Sequence, residues 1–249
     1  MGEPFWKTSL SSVQPNKILI RGYRVQDLMA HCSFGDIIYL TFKGDLPTGN
    51  EGRMIEMIVV SSTDHSLLAP SIDATRFVAS GGVPLQASVA AGVISLGDHH
   101  GGAIEQCARL LQDSVKSGAT AAEIVSDFRL RRQRIPGFGH PWHDQDPRTV
   151  TLLAKAKEWK ISEDHLALTE SIAAELKLPA NIDGVISGII SDMGIPWQYG
   201  RAFFIVPRVV GLAAHAVEET SRERPFRVID INDVAYDGPP ERDLPERYR

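Results

Sequence analysis

Three short stretches of this sequence gather side chains that can move protons or hold anions. The first is Gly97-Asp98-His99-His100-Gly101-Gly102-Ala103, two histidines and a carboxylate set just before a run with helical spacing. Glycines there let the backbone approach a ligand closely, and a helix start favours negative charge. His and Asp are also metal ligands, but adjacent ligands on one turn diverge and no HExxH-type spacing accompanies them, so helix capping is the plainer role for His99. The second stretch is Ile135-Pro136-Gly137-Phe138-Gly139-His140-Pro141, a glycine-permitted loop whose amides suit a flat ring or a phosphate, followed by Asp146-Pro147-Arg148. Asp146 reads as a helix cap with Pro147 at the first helical position, which leaves Arg148 near the loop. A fixed cation beside a general acid or base suits a carboxylate substrate. The third, Ala180-Asn181-Ile182-Asp183, precedes the apolar run 184–193. Asp183 there either caps that helix or aims a carboxylate from a rigid helix end into a cleft, able to move a proton on carbon.

Other charged positions carry open alternatives. Arg208 sits inside the otherwise apolar run 202–217, and a buried guanidinium needs either a protein carboxylate or a bound anion. Asp64-His65 follows the apolar segment 55–60 and fits a satisfied core histidine or a ligand contact. Arg222, Arg224 and Arg227 surround Pro225 as a solvated charged turn or as further anion contacts.

The elements that must position these groups are helices. In 103–115, Cys107, Leu110, Leu111 and Val115 recur at three or four residues against Glu105, Arg109 and Gln112, so one face packs and the other is wet. Further helices are expected at 25–31, 51–62, 69–80 with Pro70 in the first turn, 85–96, 121–131, 147–159, 163–176, 184–193 and 201–221. Only 18–20 and 228–231 are short and β-branched enough for strands, making at most a small ribbon. The class is mainly α, and the Gly-, Pro- and His-rich junctions 97–102, 135–147 and 195–200 put the reactive side chains between helices. The run 202–217 is shorter than a bilayer crossing and holds Pro207, Arg208 and His215, which reads as a buried helix. The last dozen residues, with Pro239, Pro240 and Pro245, read as an extended tail suited to reach across a subunit boundary.

Length and composition bound the answer. A chain of 249 residues suits one domain with a modest subdomain and buries about 70% of its unfolded surface, enough for a core without staples. With 43% hydrophobic and 23% charged residues it is globular rather than disordered. Its 26 basic and 31 acidic side chains leave a net charge of −5, so no overall positive field attracts nucleic acid or anionic lipid, and a phosphate-rich ligand needs local basic residues. Cys32 and Cys107 lie far apart, which indicates neither a disulfide framework nor a thiolate zinc site. The first ten residues hold no secretory-type apolar stretch, and the cytoplasm is the expected location.

Together the motifs resemble the citrate synthase superfamily, in matching order along nearly the whole chain. Arg21-Gly22-Tyr23, Asp27-Leu28 and Phe34-Gly35-Asp36-Ile37-Ile38-Tyr39-Leu40 are similar to the early synthase segment. The long helical stretch that full-length synthases place before the Asp-His motif is missing, because Leu46-Pro47 is followed almost at once by 56–65. That short plan resembles citryl-CoA lyase and the lyase portion of ATP-citrate lyase. The resemblance implies a mainly α, two-domain helical fold: a truncated large domain from 1–101 and 195–249, the latter with the C-terminal tail, embracing a small domain at 102–194.

It also implies roles. His100 matches the histidine that polarises the thioester carbonyl, His140 the one that serves the second substrate's carbonyl or hydroxyl, and Asp183 the aspartate that exchanges a proton with the acetyl carbon. Carboxylate recognition carries over to His65, Arg148, Arg208 and Arg224, the last reaching a neighbouring subunit's site. Pro136, Gly137, Phe138 and Gly139 match the stretch that meets coenzyme A, and Phe204 the aromatic lining the acyl subsite. Coenzyme A enters as part of the substrate, with no other cofactor and no metal. The implied partners are a CoA thioester and further copies of the chain, as a homodimer or dimer of dimers with shared sites, and neither nucleic acid nor membrane.

The favoured reaction is cleavage of a 3-hydroxyacyl-CoA such as citryl-CoA to acetyl-CoA and oxaloacetate. A condensing citrate or methylcitrate synthase, a citramalyl-CoA lyase and a non-catalytic CoA-binding subunit are the alternatives. Ser66 stands where synthases usually have glutamate, Asp98-His99 replaces a common Pro-Xaa, and Pro141-Trp142 follows the loop histidine. These departures bear on the substrate more than on the chemistry.

Overall fold

A computed structural model describes residues 5–140 and 146–249; Pro141-Trp142 lies outside the described residues. The chain opens with a small antiparallel ribbon, β1 (Ser11–Gln14), β2 (Lys17–Ile20) and β3 (Tyr23–Arg24), in which Val13 faces Ile18 and Ile20 faces Tyr23. The strand expected at 18–20 is β2. The one expected at 228–231 is absent: that segment is exposed and leads into a 3-10 turn at Ile231–Asp233. Its β-branched residues have no partner strand, and a lone strand cannot satisfy its own backbone.

Eleven α-helices follow among the described residues: α1 (Val25–His31), α2 (Phe34–Lys43), α3 (Glu51–Ser62), α4 (Pro70–Ser80), α5 (Leu85–Ile94), α6 (Ala103–Ser117), α7 (Ala121–Leu130), α8 (Pro147–Glu158), α9 (Asp164–Leu176), α10 (Ile182–Asp192) and α11 (Ala202–Arg222). Their bounds lie within two residues of the expected ones, and α2 is an addition. Its signals are local. Ser33 and Asp36 form a reciprocal capping box, and Gly44 closes the helix in the left-handed conformation at φ 95°.

The largest core cluster joins Met54, Ile55 and Ile58 of α3, Ile104 and Ala108 of α6, Leu152 of α8, Val185 to Ile190 of α10 and Phe203 of α11. It therefore draws on all three sequence segments, 1–101, 102–194 and 195–249. Helix α10 is buried on every side from Gly184 to Ser191, as an all-round apolar helix must be, and each buried isoleucine there contributes about 1.5–3 kcal/mol. Smaller clusters tie α6, α7 and α9 through Cys107, Leu111, Ile124 and Ile172, and α4 to α11 through Ile72 and Leu212.

Helix α11 runs to Arg222, farther than the apolar run alone indicates. Continuing from the turn at Trp197, it is long and apolar enough to cross a bilayer by length and composition, which corrects the length argument. Burial covers only part of it: Phe203, Arg208, Leu212 and Glu219 face inward, while Val210 and Val217 are exposed.

Candidate active site

One wall of the central cleft is built at the start of α10. Asn181 caps that helix, its side chain accepting from the N–H groups of Asp183 at 3.0 Å and Gly184 at 3.2 Å. Asp183 is therefore spared capping and stands in the first turn with its carboxyl free for other work. The loop 135–140 docks on the same turn. The Asn181 N–H donates to Gly137 O at 3.0 Å, Asn181 Nδ2 donates to Gly139 O at 2.9 Å, and the Gly139 N–H donates to Pro179 O at 2.9 Å. Gly137 has φ +89°, and a Cβ on Gly184 would stand 2.2 Å from Gly137 O. Loop and helix thus touch backbone to backbone, which only glycine permits at both positions. Burial pushes the Asp183 carboxyl up to about 6, although Arg148 and Arg208 pull the other way.

The opposite wall comes from α11, the turn after α3 and the turn before α6. His100 is held in a tight turn by mutual bonds with Gly97, N–H to O at 2.8 and 3.1 Å. Its Nε2 lies 2.9 Å from Ser71 Oγ and receives the Ser71 N–H at 3.4 Å, at the start of α4. An Nε2 that accepts from a main-chain N–H assigns the ring proton to Nδ1. Burial first, then Arg208 and His65, hold the imidazole below its usual value and so neutral. Phe204 meets the His100 ring edge-on at 5.4 Å, and the Arg208 guanidinium stacks over Phe204 at 4.6 Å.

Arg208 answers the question its sequence position raised. It is 2% exposed, its Nε donates to Ser62 O at 3.3 Å, and its buried Nη1 has no hydrogen-bond partner among the described residues. No carboxylate there pairs with it, so the arrangement suits an incoming anion. His65 sits between the walls, 6.4 Å from the His140 ring. Burial, then Arg148, Arg208 and His140, keep it below its ordinary value against an opposing pull from Asp146.

His65, His100, His140, Arg148, Asp183, Phe204 and Arg208 all line one cavity of about 210 Å³. Two neutral imidazoles, a carboxyl titrating near neutrality and a buried guanidinium with a spare donor suit proton transfer on a substrate that carries carboxylates.

The family model for the citrate synthase C-terminal domain matches residues 49–229. The chain belongs to the citrate synthase family. Citryl-CoA lyase from Hydrogenobacter thermophilus is 41% identical with a TM-score of 0.93, covering 98% of this chain and 99% of that one. Citrate synthase of Haloferax volcanii is 31% identical over 193 residues, 74% of this chain and 51% of the relative. The probable ATP-citrate synthase of Dictyostelium discoideum is 28% identical over 232 residues, 82% of this chain and 36% of the relative. The chain spans about a third to a half of these two curated relatives. It is an enzyme with the mainly α citrate synthase fold, as its motifs lead one to expect.

The remaining site expectations of this citrate synthase family member fall in three places. Phe138 and Gly139 line a second groove of about 640 Å³ with Arg129 and Arg134, and His140 lines both that groove and the central cavity. Pro136 and Gly137 do not line that groove; Gly137 instead holds the loop to α10. Arg224 is exposed and away from the central cavity of its own chain. Arg148 is not a lone cation, since its Nε and Nη2 bond both oxygens of Asp146 at 2.6–3.1 Å, while Asp146 also caps α8 as its sequence position suggests. His99 does not cap α6: that helix starts after Gly102 with no side-chain cap, and His99 is exposed at the cavity rim. Ser71 was overlooked because nothing marks a serine in a first turn as a histidine's partner. The cap expected at Asp183 is supplied by Asn181 instead, whose place just before an apolar run was the signal that could have found it.

Proposed function

We propose that the protein is a carbon–carbon lyase that cleaves a 3-hydroxyacyl-CoA, with (3S)-citryl-CoA as substrate and acetyl-CoA and oxaloacetate as products. The observation that carries this reading is the Asp183 carboxyl, raised to about 6, sharing a cavity with His100, His140 and the unpartnered Nη1 of Arg208. His140 takes the hydroxyl proton of the substrate. The carbon–carbon bond then breaks, its electron pair forming the thioester enolate while the alkoxide becomes the ketone of oxaloacetate. His100, whose ring proton sits on Nδ1, donates to the enolate oxygen as charge develops. Protonated Asp183 delivers its proton to the methylene carbon to give acetyl-CoA. Solvent returns His140 and Asp183 to their starting states.

His65, Arg148 and Arg208 hold the carboxylates of the oxaloacetate half, a positioning effect worth several kcal/mol of barrier. Phe204 lines the acyl end and the 136–139 loop meets coenzyme A. Arg224 completes the site of a neighbouring copy, so the working unit is a homodimer or a dimer of dimers. Residues 102–194 close on the rest of the chain to exclude water.

Incubation of the pure protein with (3S)-citryl-CoA, read by mass, should release acetyl-CoA and oxaloacetate. The 31% identity to a citrate synthase favours condensation as the second reading. Citrate and free CoA formed rapidly from acetyl-CoA and oxaloacetate, with citryl-CoA left uncleaved, would establish that reading and remove the first.

A further inference from the structure

The turn that presents His65 is anchored from α11 by residues outside the cavity. Asp64 Oδ2 accepts the Ser66 N–H at 3.1 Å, and Asp64 Oδ1 accepts from His215 Nε2 at 3.1 Å. Ser66 has φ +55°, a left-handed conformation that a residue with a side chain holds only when its surroundings fix it. On its other side, His215 Nδ1 lies 3.3 Å from Arg76 Nη1. A guanidinium only donates, so Nδ1 accepts and the proton sits on Nε2, facing Asp64. Arg76 is itself fixed, its Nε donating to the buried Glu219 at 2.6 Å. The neutral His215 therefore has both ring nitrogens satisfied and is only 14% exposed.

Arg208, Gly211, His215 and Glu219 recur every three or four residues and so share one face of α11. Arg208 reaches Ser62 O, and a Cβ on Gly211 would stand 2.5 Å from Thr63 O. The face grips residues 62–64 at successive turns, and the last grip, His215 on Asp64, acts on the residue that adjoins His65. We propose that His215 is a positioning residue that acts through Asp64 to fix where the His65 imidazole stands in the cavity. The kinetic part of this inference rests on the lyase reading; the placement of His65 does not.

The test has two arms. In the first, (3S)-citryl-CoA kinetics are measured for His215→Ala, His65→Ala and the double variant, with thermal melting as a folding check. His215→Ala should lower kcat/KM about tenfold or more, mainly through KM, because a small misplacement of a positioning group is costly. The loss should vanish on the His65→Ala background. His215→Gln, whose amide can donate to Asp64 and accept from Arg76, should recover most of the parent value. In the second arm, the His65 ring is titrated by NMR without substrate. Burial, Arg148, Arg208 and His140 depress it in the parent, against Asp146, so freeing the turn in His215→Ala should raise its midpoint.

Losses that simply add, or a His65 midpoint that does not move, would overturn the proposal. If His215→Ala does not fold, Asp64→Asn takes its place in both arms. If the parent leaves citryl-CoA intact, the activity reading falls, and the NMR arm alone decides the role of His215.

Discussion

The two walls of the cleft are built by different means. The α10 wall is a backbone construction, in which Gly137, Gly139, Pro179 and Asn181 exchange main-chain contacts and two glycines let the chains touch. The α11 wall has backbone contacts too, within the Gly97–His100 turn and at Gly211 against Thr63 O, but its separate elements are joined largely by side chains that meet across the chain, such as His100 with Ser71 and His215 with Asp64. Backbone contacts are rigid and tolerate no added atom. Side-chain pairs can be swapped or adjusted, so for the proposed reaction the first wall suits the acid whose placement the chemistry demands, and the second suits His100 together with the groups proposed to hold the carboxylates.

Asp183 on the rigid wall offers the strongest way to test that division. Asp183→Asn should lower turnover by about 10²–10⁴-fold, the usual worth of a positioned general acid, while binding of the CoA ester persists. In the parent, kcat/KM should fall as pH rises through about 6, because the reaction needs the protonated carboxyl. The stability effect runs in the same direction. The folded value lies above the ordinary 3.8, so the ionised carboxyl costs stability at pH above 6, by about 3 kcal/mol for two units. That cost fades as pH falls from 6 toward 3.8. The neutral asparagine avoids it, so chemical denaturation at pH 7.5 should find the variant more stable than its parent, with the gap closing near pH 4. A variant that is fully active, or less stable at pH 7.5, would remove Asp183 from this role.

Gly184→Ala tests the wall itself. Its Cβ would lie 2.2 Å from Gly137 O and 3.0 Å from Gly137 C, and a backbone oxygen tied into the Asn181 bond has no rotamer to change. The loop must lift or α10 must shift, at a cost of about 1–3 kcal/mol or more. His140 then moves relative to Asp183, and turnover should drop by one to two orders of magnitude on the scale of a ~1 Å misplacement. Gly139→Ala is the control for stability, since its loop is proposed to meet coenzyme A: its Cβ meets only Leu178 at 4.0 Å, so in the free protein the strain of φ +78° alone remains, about 1 kcal/mol. Equal losses of stability from the two would show that conformation rather than contact builds the wall.

The same contrast explains what the sequence made legible. Glycine and proline punctuate a chain because of their own backbone preferences, so the 135–140 loop, the α8 start at Asp146-Pro147 and the reactive junctions could be placed without coordinates. Amphipathic spacing placed the helices for the same local reason. Ser71 and His215 have no local signature: each matters because of a residue 29 or 151 positions away, and only the fold brings them together. The missing strand at 228–231 fails for a related reason, since β-branched residues state a preference but cannot supply a partner. Asp183 lay between these cases. Its spacing fitted capping as well as catalysis, and Asn181 takes the cap, which leaves the Asp183 carboxyl available for the role proposed for it.

The smallest effect is expected at the rim of the side-chain wall, where Arg201 Nη2 meets Asp98 Oδ1 at 2.9 Å. Asp98 stands in the turn that presents His100, so the pair could pass for a clamp on that histidine. Its side chain is 71% exposed, however, and Arg201 keeps a second partner in Glu105 at 3.5 Å. The turn is held from within by the Gly97 and His100 bonds and from behind by Ser71. An exposed ion pair is worth about 0–1 kcal/mol, so Asp98→Asn should change stability by less than about 1 kcal/mol and turnover by less than about fivefold. A drop in turnover comparable to that of Gly184→Ala would mean that His100 is held from the rim, and that the side-chain wall is as exacting as the backbone one.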